Sequence, residues 1–220
     1  MAKLTTTLKK VLDKTCQISE VNKEVTVIVP SALIVETCKQ LKKHADLKFD
    51  ILIDLCGIDY LHYGIGEWDT VSTTATGYSR ATHEKPLESK WPLPRMAVVY
   101  HLLSTHLNHR IRLKAFINDD PPEIDSVCGV YSHANWYERE AFDLYGIIFL
   151  GHPDLRRILT DYGFKGFPFR KNFPLSGNVE MRYSAEQERC VYEPVSITPR
   201  TTVPKVVRDD SRYCEGDAHE

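Results

Sequence analysis

MAVVYHLLSTHLNHRIRLKAFI, residues 96–117, is the stretch that decides the fold. Two apolar runs flank a short polar turn. In the second run Ile111, Leu113, Ala115 and Ile117 alternate with Arg110, Arg112, Lys114 and Phe116. Successive side chains of a strand point to opposite faces, so this alternation gives one buried face and one wet, basic face. The pattern predicts an antiparallel hairpin with strands over 96–103 and 109–117. Asp119-Asp120-Pro121-Pro122 stops it, because proline cannot donate to a ladder. His101, His106 and His109 surround the turn without carboxylates at metal spacing, and read as hairpin surface residues.

Working outward, residues 49–59 read as a third strand, apolar on both faces at its start. Residues 3–14 form a short amphipathic helix with Leu4, Leu8, Val11 and Leu12 on one face. Residues 16–21 and 25–29 are two short strands about a tight Asn22–Lys23 turn, ended by Pro30. Ser31 is the expected N-cap of a helix in which Leu33, Ile34, Cys38 and Leu41 recur, with Lys39, Lys42 and Lys43 near its negative end. Residues 126–131 read as a short helix. Residues 134–145 read as a longer one, closed by Gly146. This order predicts an α+β domain over residues 1–149, its helices packed on one face of a mainly antiparallel sheet.

Residues 62–94 are rich in Thr, Ser and Gly and hold no period; they read as a long polar insertion with at most a small hairpin. Beyond residue 149 the periodicities fade. An extended C-terminal arm is expected over 150–220, with a late hairpin at 179–183 and 190–195 and a disordered end from residue 208.

The chain has 220 residues and a net charge of −2, room for one domain with an extension and no global bias toward nucleic acid. No apolar run approaches the roughly 20 residues that cross a bilayer. Neither a signal peptide nor a transit peptide is expected, since the first residues alternate Lys with Leu and Thr and no Arg precedes Arg80. The chain reads as soluble and cytosol-facing. Its six cysteines lie far apart in sequence, which argues against zinc and iron–sulfur sites and for free, buried thiols. No dinucleotide, P-loop, GxSxG or CxxC motif is found.

Three constellations remain. In the helix WYEREAFDLYG, residues 136–146, Glu140 and Asp143 share a face and Arg139 and Asp143 are spaced to pair. Glu140 and Asp143 are either a catalytic carboxylate pair or half of a metal site, or they join Glu138 and Arg139 in a structural or interface ion network. The aromatic neighbours Trp136, Tyr137, Phe142 and Tyr145 favour the network, because shielded charges need partners. His152-Pro153-Asp154-Leu155-Arg156-Arg157 offers proton handling by His152 or anion binding by Arg156 and Arg157. It equally offers a rigid turn whose guanidinium groups pair with carboxylates across an interface. Residues 161–173 interleave Tyr162, Phe164, Phe167, Phe169 and Phe173 with Lys165, Arg170 and Lys171. Such segments bind single strands or protein surfaces, and the near-neutral chain favours protein.

The runs EREAFDLYG (138–146) and HPDLRRILTDYGFKGFPFRKNFPLSG (152–177) resemble the signature of the C-subunit family of NADH–quinone oxidoreductase, a hydrophilic component of respiratory complex I. Looser similarity runs through YHLLS (100–104), IRLKAFI (111–117), EMRY (180–183) and YEPV (192–195). The resemblance implies a non-redox assembly subunit of the peripheral arm. It implies packing against the quinone-pocket subunit of the complex and a C-terminal arm lying over neighbouring subunits. It also implies a peripheral position at the inner or plasma membrane, on the cytoplasmic side (the matrix side if organelle-encoded). NADH, FMN, iron–sulfur clusters and quinone belong to other subunits; no cofactor, metal or catalytic residue is expected here. The expected partner-interface residues are Glu138, Arg139, Glu140, Asp143, His152, Arg156, Arg157, Asp161, Tyr162, Phe164, Phe167, Arg170 and Lys171.

Overall fold

The computed structural model describes residues 2–63, 68–70, 82–84 and 91–197. The end from residue 208 and most of the 62–94 insertion lie outside the described residues. The chain forms two compact units, residues 1–60 with 93–173 and residues 61–92 with 174–220.

In the first unit, α1 (Ala2–Val11) precedes the hairpin β1 (Gln17–Val21) and β2 (Glu24–Ile28). Asn22 and Lys23 join these strands with φ of 49° and 68°, the left-handed pair that a two-residue hairpin turn demands. A 3₁₀ turn (Ser31–Leu33) leads into α2 (Ile34–Lys43), which crosses to the opposite sheet edge and β3 (Ile51–Asp59). Ser31 is therefore not the helix cap; Leu33 takes that position without a side-chain bond, because the tighter turn precedes the helix.

β6 (Met96–Ser104) and β7 (His109–Ile117) form the expected hairpin, in register from Met96 opposite Ile117 to Ser104 opposite His109. The five-stranded sheet has the order β1-β2-β7-β6-β3, antiparallel except between β2 and β7. Val25, Val27, Leu52, Leu55, Val98, Tyr100, Leu113 and Ala115 join Leu4, Leu8, Ile34, Cys38, Leu41, Ala134 and Ala141 in one core. The fold is α+β, as the alternation in β7 requires.

β3 shifts register between Leu52 and Asp54, and Ile53 is the bulged residue. That bulge accounts for an apolar run on both faces at the start of the strand. Further along β3, Gly57 admits Tyr145 and Ile147: a Cβ there would lie 2.7 Å from the Tyr145 ring.

β8 (Glu123–Asp125) and β9 (Ile148–Leu150) pair in parallel and flank α3 (Ala134–Tyr145), which Gly146 closes at φ +73°. At three residues each, these two strands are too short to show a period. Residues 126–131 form a turn rather than a helix, with Val130 and Tyr131 both donating to the Val127 carbonyl. Their helix-starting groups are engaged elsewhere: the Ser126 hydroxyl and Val127 amide both donate to Glu138.

Residues 150–173, expected as the first part of an extended arm, are tied into the first unit by hydrogen bonds to α3 and β3. Their irregular backbone needs partners, and it finds them within the chain.

In the second unit, β4 (Trp68–Thr70) pairs with β5 (Thr82–Glu84), and β10 (Val179–Ser184) pairs with β11 (Arg189–Pro194) in an antiparallel hairpin. The Tyr63 and Trp91 rings meet edge to face at 4.9 Å.

Candidate functional site

α3 presents its charges to two different clusters. Asp143 is buried and forms the centre of a clasp. Its carboxylate accepts from the Arg157 guanidinium at 3.0 Å and from the amides of Ile158, Leu159 and Thr160 at 3.0, 2.7 and 2.8 Å. The Thr160 hydroxyl donates to it as well. Burial pushes this carboxyl up, but the hydrogen bonds from Thr160, Leu159 and Ile158 outweigh burial and hold its pKa below the usual 3.8. Arg157 also donates to the Gly166 carbonyl and lies over the Phe164 and Phe167 rings.

Arg170 continues the same wall. It lies 4.5 Å from the Phe167 ring centroid and donates to the Tyr145 carbonyl at 2.6 Å. Gly146 permits this packing, since a Cβ there would stand 2.6 Å from Phe167 and 2.8 Å from Arg170. The Lys171 amide then donates to the buried Asp59 at 2.8 Å, and Arg95 grips Asp59 through two bonds of 2.7 and 2.6 Å.

The second cluster is a buried polar knot. Glu138 accepts from Ser126 Oγ at 2.6 Å, the Val127 amide at 2.8 Å and Cys128 Sγ at 3.3 Å, with His152 Nε2 at 4.0 Å. Burial raises the Glu138 pKa and pushes the Cys128 thiol up to about 11. Donor atoms of Cys128, Glu138 and His152 lie within 4.8 Å of one another, spacing that brings a metal to mind. The hydrogen bonding fits a latch instead. His152 Nδ1 accepts from the Asp154 amide at 3.0 Å, so Nε2 carries the proton and donates to the Asn135 carbonyl at 3.1 Å. Both ring nitrogens are committed, and Glu138 has its donors.

The remaining expected residues are distributed around these clusters. Arg139 pairs with Asp154 at 3.2 Å and stacks on Trp136, rather than pairing with Asp143 four residues on. Donors from residues 157–160 fill both oxygens of Asp143 and leave Arg139 to the turn. Arg156 is exposed and also reaches Asp154, at 3.0 Å. Glu140 and Asp161 are exposed, Tyr162 is fully so, and Phe164 and Phe167 are half-buried. Glu140, Asp143 and His152 do not converge on a common point for acid–base work: Asp143 is saturated, His152 sits in the other cluster and Glu140 faces outward.

Sequence reasoning missed Asp59, Arg95, Ser126 and Thr160. The one available signal was a charged residue, Asp59, closing an otherwise apolar strand.

The family profile described as "Respiratory-chain NADH dehydrogenase, 30 Kd subunit" matches residues 27–179. The chain belongs to that family. The C subunit of the NADH-quinone oxidoreductase of Coxiella burnetii is 58% identical over 192 residues, covering 86% of this chain and 84% of that one. Its counterpart in Legionella pneumophila is 52% identical over 191 residues, with the same coverage. That of Thiobacillus denitrificans is 50% identical over 196 residues, 89% and 86% of the two chains. Among solved structures, a trypsin-resistant fragment of Nqo5 aligns with TM-score 0.52 and 26% identity, covering 70% of this chain and 99% of that one. A chain of an archaeal membrane-bound sulfane sulfur reductase shares the fold at TM-score 0.55 and 19% identity, over 79% and 85% of the two chains. As a member of the 30 Kd subunit family, the chain is a subunit of an NADH–quinone oxidoreductase complex, and the other subunits of that assembly are its partners. No helix among its described residues is long and apolar enough to cross a membrane.

Proposed function

We propose that this chain is a non-redox assembly subunit of the peripheral arm. It packs against the quinone-pocket subunit and supports NADH-to-quinone electron transfer coupled to proton translocation. In this reading the chain binds none of NADH, FMN, iron–sulfur clusters or quinone. It meets the membrane only through the complex, on the cytoplasmic side, or the matrix side for an organelle-encoded form.

The observation that carries the reading is the outer face of the β10–β11 hairpin. Met181 lies opposite Tyr192 and Tyr183 opposite Cys190, and Met181, Tyr183 and Tyr192 are 63%, 61% and 66% exposed. Two strands alone are marginally stable, and a contiguous apolar face of this kind calls for cover by another surface. Leu175, just before the hairpin, is fully exposed as well. In the first unit, Leu159, Tyr162 and Phe169 stand out from the clasp in the same way. The clasp therefore serves as the rigid mount, and exposed apolar groups provide the contacts.

Co-expression with the other subunits, followed by affinity purification, tests this. Met181→Lys with Tyr192→Lys is expected to leave the thermal midpoint of the isolated chain within about 2 °C, as surface substitutions do. It should sharply reduce recovery of the partner subunits. Full recovery of the quinone-pocket subunit with the double variant would refute the hairpin as a contact. Trypsin on the isolated chain should cut at Arg182 and Arg189 long before Arg157; equal resistance at all three would also count against the reading.

A further inference from the structure

One groove belongs neither to the clasp nor to the hairpin. It is a shallow depression, largely open to solvent, between the end of α1 and the outer face of α2, with a volume of about 720 Å³, and is lined by Lys10 and Val11 with Glu36, Lys39, Gln40, Lys43 and His44. The α2 residues recur at helical spacing, so they form one continuous stripe.

Three features set this stripe apart from an ordinary solvated face. First, Lys10, Lys39 and Lys43 are exposed, and among the described residues none of them meets a carboxylate. Lys42, by contrast, is used internally, donating to the Val130 carbonyl and lying over the Tyr131 ring. Second, the groove's one acid, Glu36, accepts from Gln40 Nε2 at 3.5 Å rather than neutralising a lysine. Third, charge is segregated along the chain. Residues 1–48 hold nine lysines against five carboxylates, although the whole chain carries −2. Helix dipoles account for cations in the last turns, Lys9 and Lys10 of α1 and Lys42 and Lys43 of α2. They do not account for Lys39, a turn earlier.

We infer that this groove docks an acidic protein segment, a run of Asp and Glu side chains presented by another polypeptide. Charge complementarity selects an anion, and the groove's chemistry selects among anions. A bilayer is a poor fit: Leu4, Leu8 and Leu12 of the α1 region are spent on the chain's own core, which leaves half-buried Val11 as the one apolar side chain in the lining. Nucleic acid is a poor fit too, because the lining offers no Phe, Tyr or Trp ring for stacking and no arginine for bidentate phosphate contact. Lysines, as flexible point charges, suit carboxylates arranged along a helix or strand.

The test uses the full chain and fluorescein-labelled poly-L-glutamate, followed by anisotropy over a salt series. The wild-type chain should bind at low salt. Lys10→Gln/Lys39→Gln/Lys43→Gln should bind about tenfold more weakly, from three exposed charge pairs of ordinary strength. A charge-matched control, Lys23→Gln/Arg110→Gln/Lys165→Gln, should bind within about twofold of wild type, because distant exposed charges are screened. Equal weakening by both triples would show unspecific attraction and overturn the proposal. So would no binding of poly-L-glutamate at low salt. Tighter, groove-dependent binding to phosphatidylserine vesicles or to oligo-dT would reassign the site to lipid or nucleic acid. Circular dichroism of both triples guards against misfolding; if the lysine-to-glutamine triple is unfolded, the single Lys39→Gln variant should still weaken binding by about twofold.

Discussion

The clasp around Asp143 makes a quantitative prediction. Asp143→Asn keeps the size of the side chain but removes its charge and presents an amide N–H₂ to a ring of donors. In the native chain three backbone amides, one guanidinium and one hydroxyl converge on that carboxylate. The Asp143 side chain has no solvent exposure, so its acceptor role cannot pass to water without opening the loop, while Arg157 retains 21% exposure and part of its hydration. All three amides meet one oxygen, Oδ2, which the Asn carbonyl can replace; taking about 1 kcal/mol for the charge assistance lost at each of those bonds and about 1 for the Arg157 ion pair gives a loss of roughly 4 kcal/mol. For a chain of this size that is a fall in Tm of about 8–16 °C. Calorimetry measures the loss, and hydrogen exchange at Ile158, Leu159 and Thr160 localises it. Glu140→Gln, on the exposed side of the same helix, should change stability by no more than about 0.5 kcal/mol. An Asn variant with Tm within about 2 °C of wild type and unchanged protection at those amides would refute the reasoning.

Two glycines and the pH response give further checks. Gly146→Ala forces a left-handed residue to carry a Cβ against Phe167, and should cost about 2 kcal/mol by denaturant titration while loosening protection of residues 167–173. Gly57→Ala drives a methyl group toward Tyr145 and should cost about 1–3 kcal/mol; an unchanged denaturation midpoint would mean that the Tyr145 ring gives way freely. The two buried carboxyls of α3 respond to acid with opposite signs. Asp143 has a lowered pKa, so its stabilisation is complete above the ordinary 3.8 and is lost as pH falls through its depressed value. Glu138 has a raised pKa, so its contribution is complete below the ordinary 4.5 and is lost as pH rises through the raised value. In thermal melts from about pH 3 to about pH 8, the Tm difference between wild type and Asp143→Asn should shrink toward acid, whereas that between wild type and Glu138→Gln should grow. Parallel trends would contradict both assignments.

Much of the fold is visible in the chain's periodicity. The β6–β7 hairpin follows from strict alternation, and α3 follows from helical spacing closed by a glycine. The β1–β2 turn is legible because Asn22 invites a left-handed residue. The late hairpin at β10–β11 is likewise readable from residues 179–183 and 190–195. What escaped is what side-chain patterns do not encode. The acceptor for Ile158, Leu159 and Thr160 is chosen by backbone amides, which every sequence possesses. Asp59 meets the Lys171 amide across 112 positions, beyond any local rule. Helical spacing pairs Arg139 with Asp143, yet the fold buries Asp143 against a different arginine. The 150–173 segment shows no period because its hydrogen-bond partners are scattered through the first unit: Asp59, Leu144, Tyr145 and Asp143.

The neck at Tyr60 and Arg95 has a practical corollary. The Tyr60 amide donates to the Arg95 carbonyl at 2.9 Å, just where β3 ends and β6 begins, so the two ends of the intervening segment are already fastened together. Loop-closure entropy grows only logarithmically, about 0.6 kcal/mol for each doubling of length. A fluorescent or affinity cassette spliced between those two residues would leave the sheet's register untouched. That makes this junction a permissive handle for imaging or retrieving the assembled enzyme.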